Sequence, residues 1–138
     1  NNGIALVQLS DEKTALIIRV KEVGLPNELV AILENEKIVK VGAAIRDDLK
    51  GLKSIRNFNP KGFVDLQQIA GNYNIEGQSV RKLAAIVLGV RVSKSQQLSN
   101  WEAESLSFAQ IDYAAIDAWV CREIYLKLNA INPIKFSK

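Results

Sequence analysis

Segments with the pattern of β-strands alternate with segments that have the pattern of α-helices along most of this chain. Residues 4–9 and 15–20 are apolar runs of strand length separated by a polar stretch, which predicts a β-hairpin. A helix is expected next, ending near Asn35, and the apolar run at residues 38–44 is typical of a strand buried on both faces. Strands and helices that alternate after a hairpin predict an α/β domain with a mixed sheet.

The second half of the chain predicts more helix than strand. A short strand at residues 63–66 should run into a helix, and Ser79 is a suitable N-cap for a helix over residues 80–88 that Gly89 ends. A long helix is expected from Ser107 to about residue 128, with Phe108 and Ile111 among its buried residues. Three clear strands and one doubtful strand make a thin sheet for at least four helices.

The chain has 138 residues, which fits a single domain, and it contains no histidine. The lack of histidine excludes a histidine base, histidine zinc ligands and Ser-His or Cys-His nucleophile systems. A single cysteine allows no internal disulfide and predicts a cytoplasmic protein. No apolar run approaches the length of a membrane span, so no membrane association is expected.

Basic residues are grouped along the sequence. Residues 77–101 contain four bases and no acid, and residues 37–61 contain seven bases and only two acids, Asp47 and Asp48. A basic surface around a few acids suits a polyanion bound beside a cation site. On charge alone, solvated surface lysines and arginines are the simpler explanation.

Two places carry candidate chemistry. Tyr113 and Asp117 are four positions apart on a predicted helix, so both side chains lie on one face, and neighbouring alanines permit close approach to a sheet. Asp47 and Asp48 follow the strand at residues 38–44, where α/β proteins often place ligands. An exposed Tyr–Asp pair and acids that merely cap a helix remain open as alternatives, and Asp47 suits a cap.

Several stretches in the same order resemble the Werner-type and ribonuclease D-type 3′→5′ exonucleases. They are residues 7–9 (VQL), 42–52 (GAAIRDDLKGL), 99–101 (SNW) and 110–125 (QIDYAAIDAWVCREIY). The resemblance implies a ribonuclease H-like α/β fold, with a mixed sheet flanked by helices. It also implies an enzyme that removes nucleotides from the 3′ end of DNA or RNA, using four acids that hold two Mg²⁺ or Mn²⁺ ions.

Site residues are carried over from the resemblance position by position. The metal-binding catalytic acids fall on Asp48 and Asp117, and the tyrosine that defines one subclass of the family falls on Tyr113. The missing histidine agrees with this subclass, because the sister subclass uses histidine where this one uses tyrosine. Carboxylates suit hard ions such as Mg²⁺, and a neutral Tyr113 could orient the attacking water.

The sequence departs from the family in lacking the D-x-E pattern of the first central strand, which should precede Ile4. In the family that strand lies between the hairpin and the strand at residues 38–44. We therefore expect residues 1–138 to form one exonuclease domain that is incomplete at its N-terminus and inactive alone. A non-catalytic nucleic-acid-binding or scaffolding domain on the same fold is the alternative.

A smaller departure affects the phosphate contacts. Relatives often carry Arg-Pro-Leu where this chain has Glu-Ser-Leu at residues 104–106. Arg81, Lys82 and Lys94 are the bases expected to contact the nucleic-acid backbone instead.

Overall fold

A computed structural model describes residues 4–75, 77 and 79–131. In chain order, the elements are β1 (Val7–Ser10), β2 (Ala15–Ile18), α1 (Val20–Val23), α2 (Asn27–Glu34), β3 (Lys40–Gly42), α3 (Ile45–Ile55), β4 (Phe63–Asp65), α4 (Leu66–Ala70), a 3₁₀ turn (Gly71–Tyr73), α5 (Val80–Leu83), a π-helical segment (Ala84–Leu88) and α6 (Phe108–Asn129). None of the helices within these ranges is long and apolar enough to cross a lipid bilayer.

The strands form two separate pairs. β1 runs antiparallel to β2 with Val7 opposite Ile18, and β3 runs parallel to β4 with Val41 opposite Val64. Over the described residues, no strand joins β1 to β3. The long helix α6 packs against β1, β2 and β3, so one helix supports both sheets. The predicted α/β class, with parallel and antiparallel pairing, is confirmed.

The core consists of two clusters. The first lies between the hairpin, α2 and α3, and its most buried members are Val20, Leu29 and Leu33. The second lies where α4 and α5 meet α6, around Leu83 and Ile124, which have no exposed surface. Together the clusters fix α6 between the two halves of the domain.

The start of α6 follows the prediction, whereas part of its predicted burial is wrong. Ser107 Oγ accepts a hydrogen bond from the Gln110 N–H (3.1 Å), and Gln110 Oε1 accepts one from the Ser107 N–H (2.9 Å), which completes a capping box. Phe108 and Ile111 are 83% and 42% exposed. They lie on the outer side of the helix, because the core contacts its other face.

The start of α3 corrects the expectation that Asp47 caps this helix. The helix begins at Ile45, and no side chain of its own first turn caps it. Instead the Asp65 carboxylate, at the end of β4, accepts hydrogen bonds from the N–H groups of Ala44 (3.4 Å) and Ile45 (3.3 Å). It also accepts one from the Gln67 N–H (2.9 Å). The end of β4 therefore holds the beginning of α3 in place.

We predict that Ala44→Gly stabilises the protein. Ala44 has a left-handed backbone, with φ 52° and ψ 43°, which an L side chain adopts only with strain. Removing its Cβ should raise the free energy of unfolding by about 0.5–1 kcal/mol, after the greater freedom of glycine in the unfolded chain is subtracted. Denaturant titration measures the change.

Ala43→Gly is the matched control for this prediction. Ala43 does not share the positive φ of its neighbour, so glycine there should only lower the stability. Equal losses for the two variants would show that Ala44 is not strained.

Candidate active site

Two clefts meet at Asp117. The first, of about 750 Å³, lies between β1, α5, residues 97–102 and the first half of α6, and Tyr113 and Asp117 line it. The second, of about 760 Å³, separates β1 from β3 above α6, and Asp48 and Asp117 line it. Because Asp117 belongs to both walls, it stands where the two clefts join.

Asp117 reaches this junction because α6 packs closely on the hairpin. Ala114 is buried and lies less than one turn before Asp117, so the helix presents little bulk to β1. Burial raises the pKa of the Asp117 carboxyl above its ordinary value, and a hydrogen bond from the Gln8 side chain opposes that rise. Gln8 belongs to β1 and borders both clefts.

Asp48 approaches the same place from the first turn of α3. The pKa of its carboxyl is raised by burial first, and then by the negative charges of Asp47 and Asp117. The effect of Asp117 shows that the two predicted acids lie close enough for their charges to repel. No lysine or arginine among the described residues forms an ion pair with either acid.

Tyr113 lies one helical turn before Asp117 and faces the first cleft. Burial raises the pKa of the Tyr113 hydroxyl, Asp117 raises it further, and Arg81 opposes both effects. The hydroxyl is therefore neutral at pH 7. The Trp101 ring packs against the Tyr113 ring, with centroids 5.9 Å apart and planes tilted by 41°.

Of the three predicted phosphate-binding bases, the structure places only Arg81 beside the site. Arg81 lines the first cleft with Tyr113 and Asp117. Lys82 and Lys94 are exposed and line neither cleft.

Gln8 was not predicted to be a functional residue. Its signals in the sequence are a polar side chain in the middle of an apolar strand and a place in the VQL stretch that resembles the family.

The acid pair has the right chemistry for a hard divalent ion but provides only part of a ligand set. Asp48 and Asp117 offer carboxylate oxygens, which Mg²⁺ and Mn²⁺ prefer. Within the described part of the chain, no three acids or cysteines group closely enough to hold a metal ion. A complete site needs further oxygen ligands beside this pair.

Cys121 lies one turn after Asp117 but takes no part in the chemistry. It is buried, and burial, with Asp117 and Asp65 nearby, raises the pKa of its thiol to about 12. A thiol that stays protonated at neutral pH is a poor nucleophile and a poor ligand. It belongs to the second core cluster.

The comparisons with known proteins agree on one family. The sequence profile described as 3′-5′ exonuclease matches residues 1–131. Exonuclease 3′-5′ domain-containing protein 2 of Drosophila melanogaster is 32% identical over 129 residues, which are 91% of this chain and 22% of that protein. Ribonuclease D of Gluconacetobacter diazotrophicus is 30% identical over 126 residues, which are 88% of this chain and 32% of that protein.

Solved structures show the same likeness. Brucella melitensis NrnC bound to pGG has a TM-score of 0.80 and 26% identity, over 91% of this chain and 63% of that one. Escherichia coli ribonuclease D has a TM-score of 0.77 and 25% identity, over 91% of this chain and 35% of that one. The chain spans between about a fifth and a third of the length of the two curated relatives above.

The fold is that of the ribonuclease H-like exonuclease domains. Since the profile covers nearly the whole chain, the protein belongs to the 3′-5′ exonuclease family.

We predict that Asp117→Asn stabilises the metal-free protein at neutral pH. The pKa of Asp117 is higher in the folded than in the unfolded protein, so its ionised form opposes folding above the folded pKa. A neutral asparagine removes that penalty and should raise Tm at pH 7. The difference from wild type should shrink as the pH falls through the folded pKa and vanish below the unfolded value of 3.8.

Thermal unfolding in EDTA at several pH values measures this difference. Asp112→Asn is the control, because Asp112 is exposed on the same helix. A loss of stability in Asp117→Asn that is the same at every pH would contradict the prediction.

Proposed function

We propose that this chain supplies most of the active site of a 3′-5′ exonuclease, which hydrolyses phosphodiester bonds at the 3′ end of DNA or RNA. The observation that carries the proposal is that Asp48 and Asp117 line the same cleft, without a cationic partner, and that the charge of Asp117 acts on Asp48. Two carboxylates without a cationic partner, one of which raises the pKa of the other, are typical of a site built for a cation. Family membership supports catalysis over a non-catalytic binding domain.

Each residue of the site has a separate proposed role. Asp48 and Asp117 would hold Mg²⁺ or Mn²⁺, whose charge stabilises the attacking and leaving oxygens of a phosphodiester. The neutral Tyr113 hydroxyl orients the attacking water by a hydrogen bond, as expected for the tyrosine subclass. Arg81 binds a phosphate oxygen from the facing side of the first cleft. Lys82 and Lys94 attract the backbone from farther away.

The first cleft suits the terminal nucleotides of a single strand. Its lining is mainly polar, with Asn100, Ser99 and Gln97 along one side and Arg81 on the other. A base can also lie near Trp101, since aromatic rings stack on bases of any sequence. The relative NrnC, solved with pGG bound, supports a short single-stranded ligand.

We also propose that the second cleft receives an added strand that completes both the sheet and the ligand set. Among the described residues, β1 pairs only with β2 and β3 only with β4, so each strand has one unpaired edge. The lining of this cleft is mainly apolar, and Ile38 and Val39 remain 41% and 50% exposed beside it. Acids on an added strand would stand beside Asp48 and Asp117. They would supply the missing oxygen ligands.

We predict that the full-length protein degrades a 5′-labelled oligonucleotide from its 3′ end when Mn²⁺ is present. Asp48→Asn and Asp117→Asn should each lower the rate by about 100- to 1000-fold, the scale found when one charge-stabilising group is removed. Asp47→Asn and Asp112→Asn are matched controls, because each neutralises an acid that lies close in sequence to Asp48 or Asp117 but lines neither cleft. Both should keep the wild-type rate.

Degradation that survives Asp117→Asn would refute the proposed catalytic role. A wild-type protein that binds the oligonucleotide without shortening it would instead support the non-catalytic alternative.

We further predict that the isolated 138-residue chain is inactive and exchanges the cleft-facing amides of β1 and β3 rapidly. In the full-length protein these amides should be protected, because the added strand accepts their hydrogen bonds. Hydrogen exchange read by NMR or mass spectrometry measures the protection. Equal exchange in the two proteins would mean that no strand enters the second cleft.

A further inference from the structure

One wall of the first cleft is the Trp101 loop, which comprises residues 99–106 and contains no helix or strand. Residues 99–102 line the cleft directly. The hydrogen bonds inside the loop are local, such as that from the Glu102 N–H to Asn100 Oδ1 (3.1 Å). Since these bonds span only a few residues, the position of the loop must be set by groups outside it.

Arg19, immediately after β2, is the main outside group. Its guanidinium donates hydrogen bonds to three backbone carbonyls of the loop, those of Trp101 (3.4 Å), Ala103 and Glu104 (2.9 Å). The same side chain forms an ion pair with Glu22 (3.4 Å). A planar guanidinium with five N–H groups can hold several carbonyls at once, which the compact ammonium of lysine cannot do in the same geometry.

Two further residues hold the loop from other directions. Gln110 is buried at the start of α6, and its amide donates to Ser99 Oγ (3.0 Å) and to the Asn100 carbonyl (2.9 Å). Lys21 Nζ forms an ion pair with the Glu102 carboxylate (2.7 Å). The salt bridge is exposed and contributes little, whereas two of the three Arg19 hydrogen bonds and both Gln110 hydrogen bonds are partly buried. The hairpin and α6 therefore hold the loop between them.

The loop in turn holds Tyr113. The Trp101 ring contacts the Tyr113 ring, and over the described ranges no residue hydrogen-bonds to the Tyr113 hydroxyl. The direction of that hydroxyl therefore depends on how its ring is packed. A loop that moved would remove Trp101 from one side of the ring.

We propose that Arg19 is a positioning residue, which acts through the Trp101 loop to fix the Tyr113 ring beside Asp117. The catalytic part of this inference rests on the function proposed above. Its structural part, the hold of Arg19 on Trp101, does not.

Fluorescence tests the structural part in the 138-residue chain. Trp101 and Trp119 are its only tryptophans, so Trp119→Phe leaves Trp101 as the single reporter. In that background, Arg19→Met should shift the emission to longer wavelength and increase quenching by acrylamide. Arg19→Lys should give a smaller change, because lysine keeps the positive charge but lacks the planar set of N–H donors.

Arg56→Met is the matched control for the fluorescence. Arg56 also donates to a backbone carbonyl, that of Leu25 (2.8 Å), which lies outside the Trp101 loop. Its loss should lower the stability without changing the emission of Trp101.

Kinetics of the full-length protein test the catalytic part. Arg19→Met should lower kcat by about 10- to 100-fold, the scale expected when a reacting group moves by about 1 Å. In a Tyr113→Phe background, which keeps the ring but lacks the hydroxyl, Arg19→Met should cause little further loss. Such non-additivity is expected only if the two residues act through the same group.

The outcomes separate the two proposals. Either of two results would overturn the role of Arg19. One is unchanged Trp101 emission in Arg19→Met. The other is a fall in kcat in the double variant that equals the product of the falls caused by Arg19→Met and Tyr113→Phe alone. If the wild-type full-length protein degrades nothing, the proposed nuclease function fails and the catalytic role of Arg19 fails with it. In that case the fluorescence alone tests whether Arg19 keeps the Trp101 loop in position.

Discussion

The packing of α6 against both sheets is the contact on which the rest of the structure depends. One face of this helix meets β1 and β2, and it also meets β3, although no strand among the described residues joins the two sheets. The small side chain of Ala114 allows the close approach that brings Asp117 to β1. Because Tyr113 and Asp117 share this helix with the core residues Ile124 and Leu128, the site and the core are positioned by one rigid element.

The electrostatics of the site oppose the stability of the fold. Asp48 and Asp117 are partly desolvated, repel each other, and have no cationic partner among the described residues. Gln8 reduces this conflict by donating a hydrogen bond to Asp117, while leaving its negative charge in place. A lysine at position 8 would relieve the repulsion more strongly but would compete with any cation. A neutral amide instead orients the carboxylate and leaves its charge in place, which would suit the proposed binding of a metal ion.

Features set by neighbouring residues could be predicted from the sequence, and features set by distant contacts could not. The hairpin, the Ser79 and Ser107 caps and the Tyr113–Asp117 face follow from short-range patterns. The Asp65 cap joins residues about twenty positions apart, and the Arg19 contacts join residues more than eighty positions apart. Helical periodicity also did not reveal that Phe108 faces outward. Asp48 was selected over Asp47 only by resemblance to the family, and of these two acids only Asp48 lines the second cleft. Its role as a metal ligand stays a prediction.

The second cleft also affects how the isolated chain behaves at high concentration. Its two walls are strand edges whose backbone N–H and C=O groups lack sheet partners over the described residues, and its lining is mainly apolar. An open edge of this kind can pair with a strand of any neighbouring molecule. The second cleft therefore makes the 138-residue chain prone to self-association, and solubility becomes a measure of whether a strand fills this cleft.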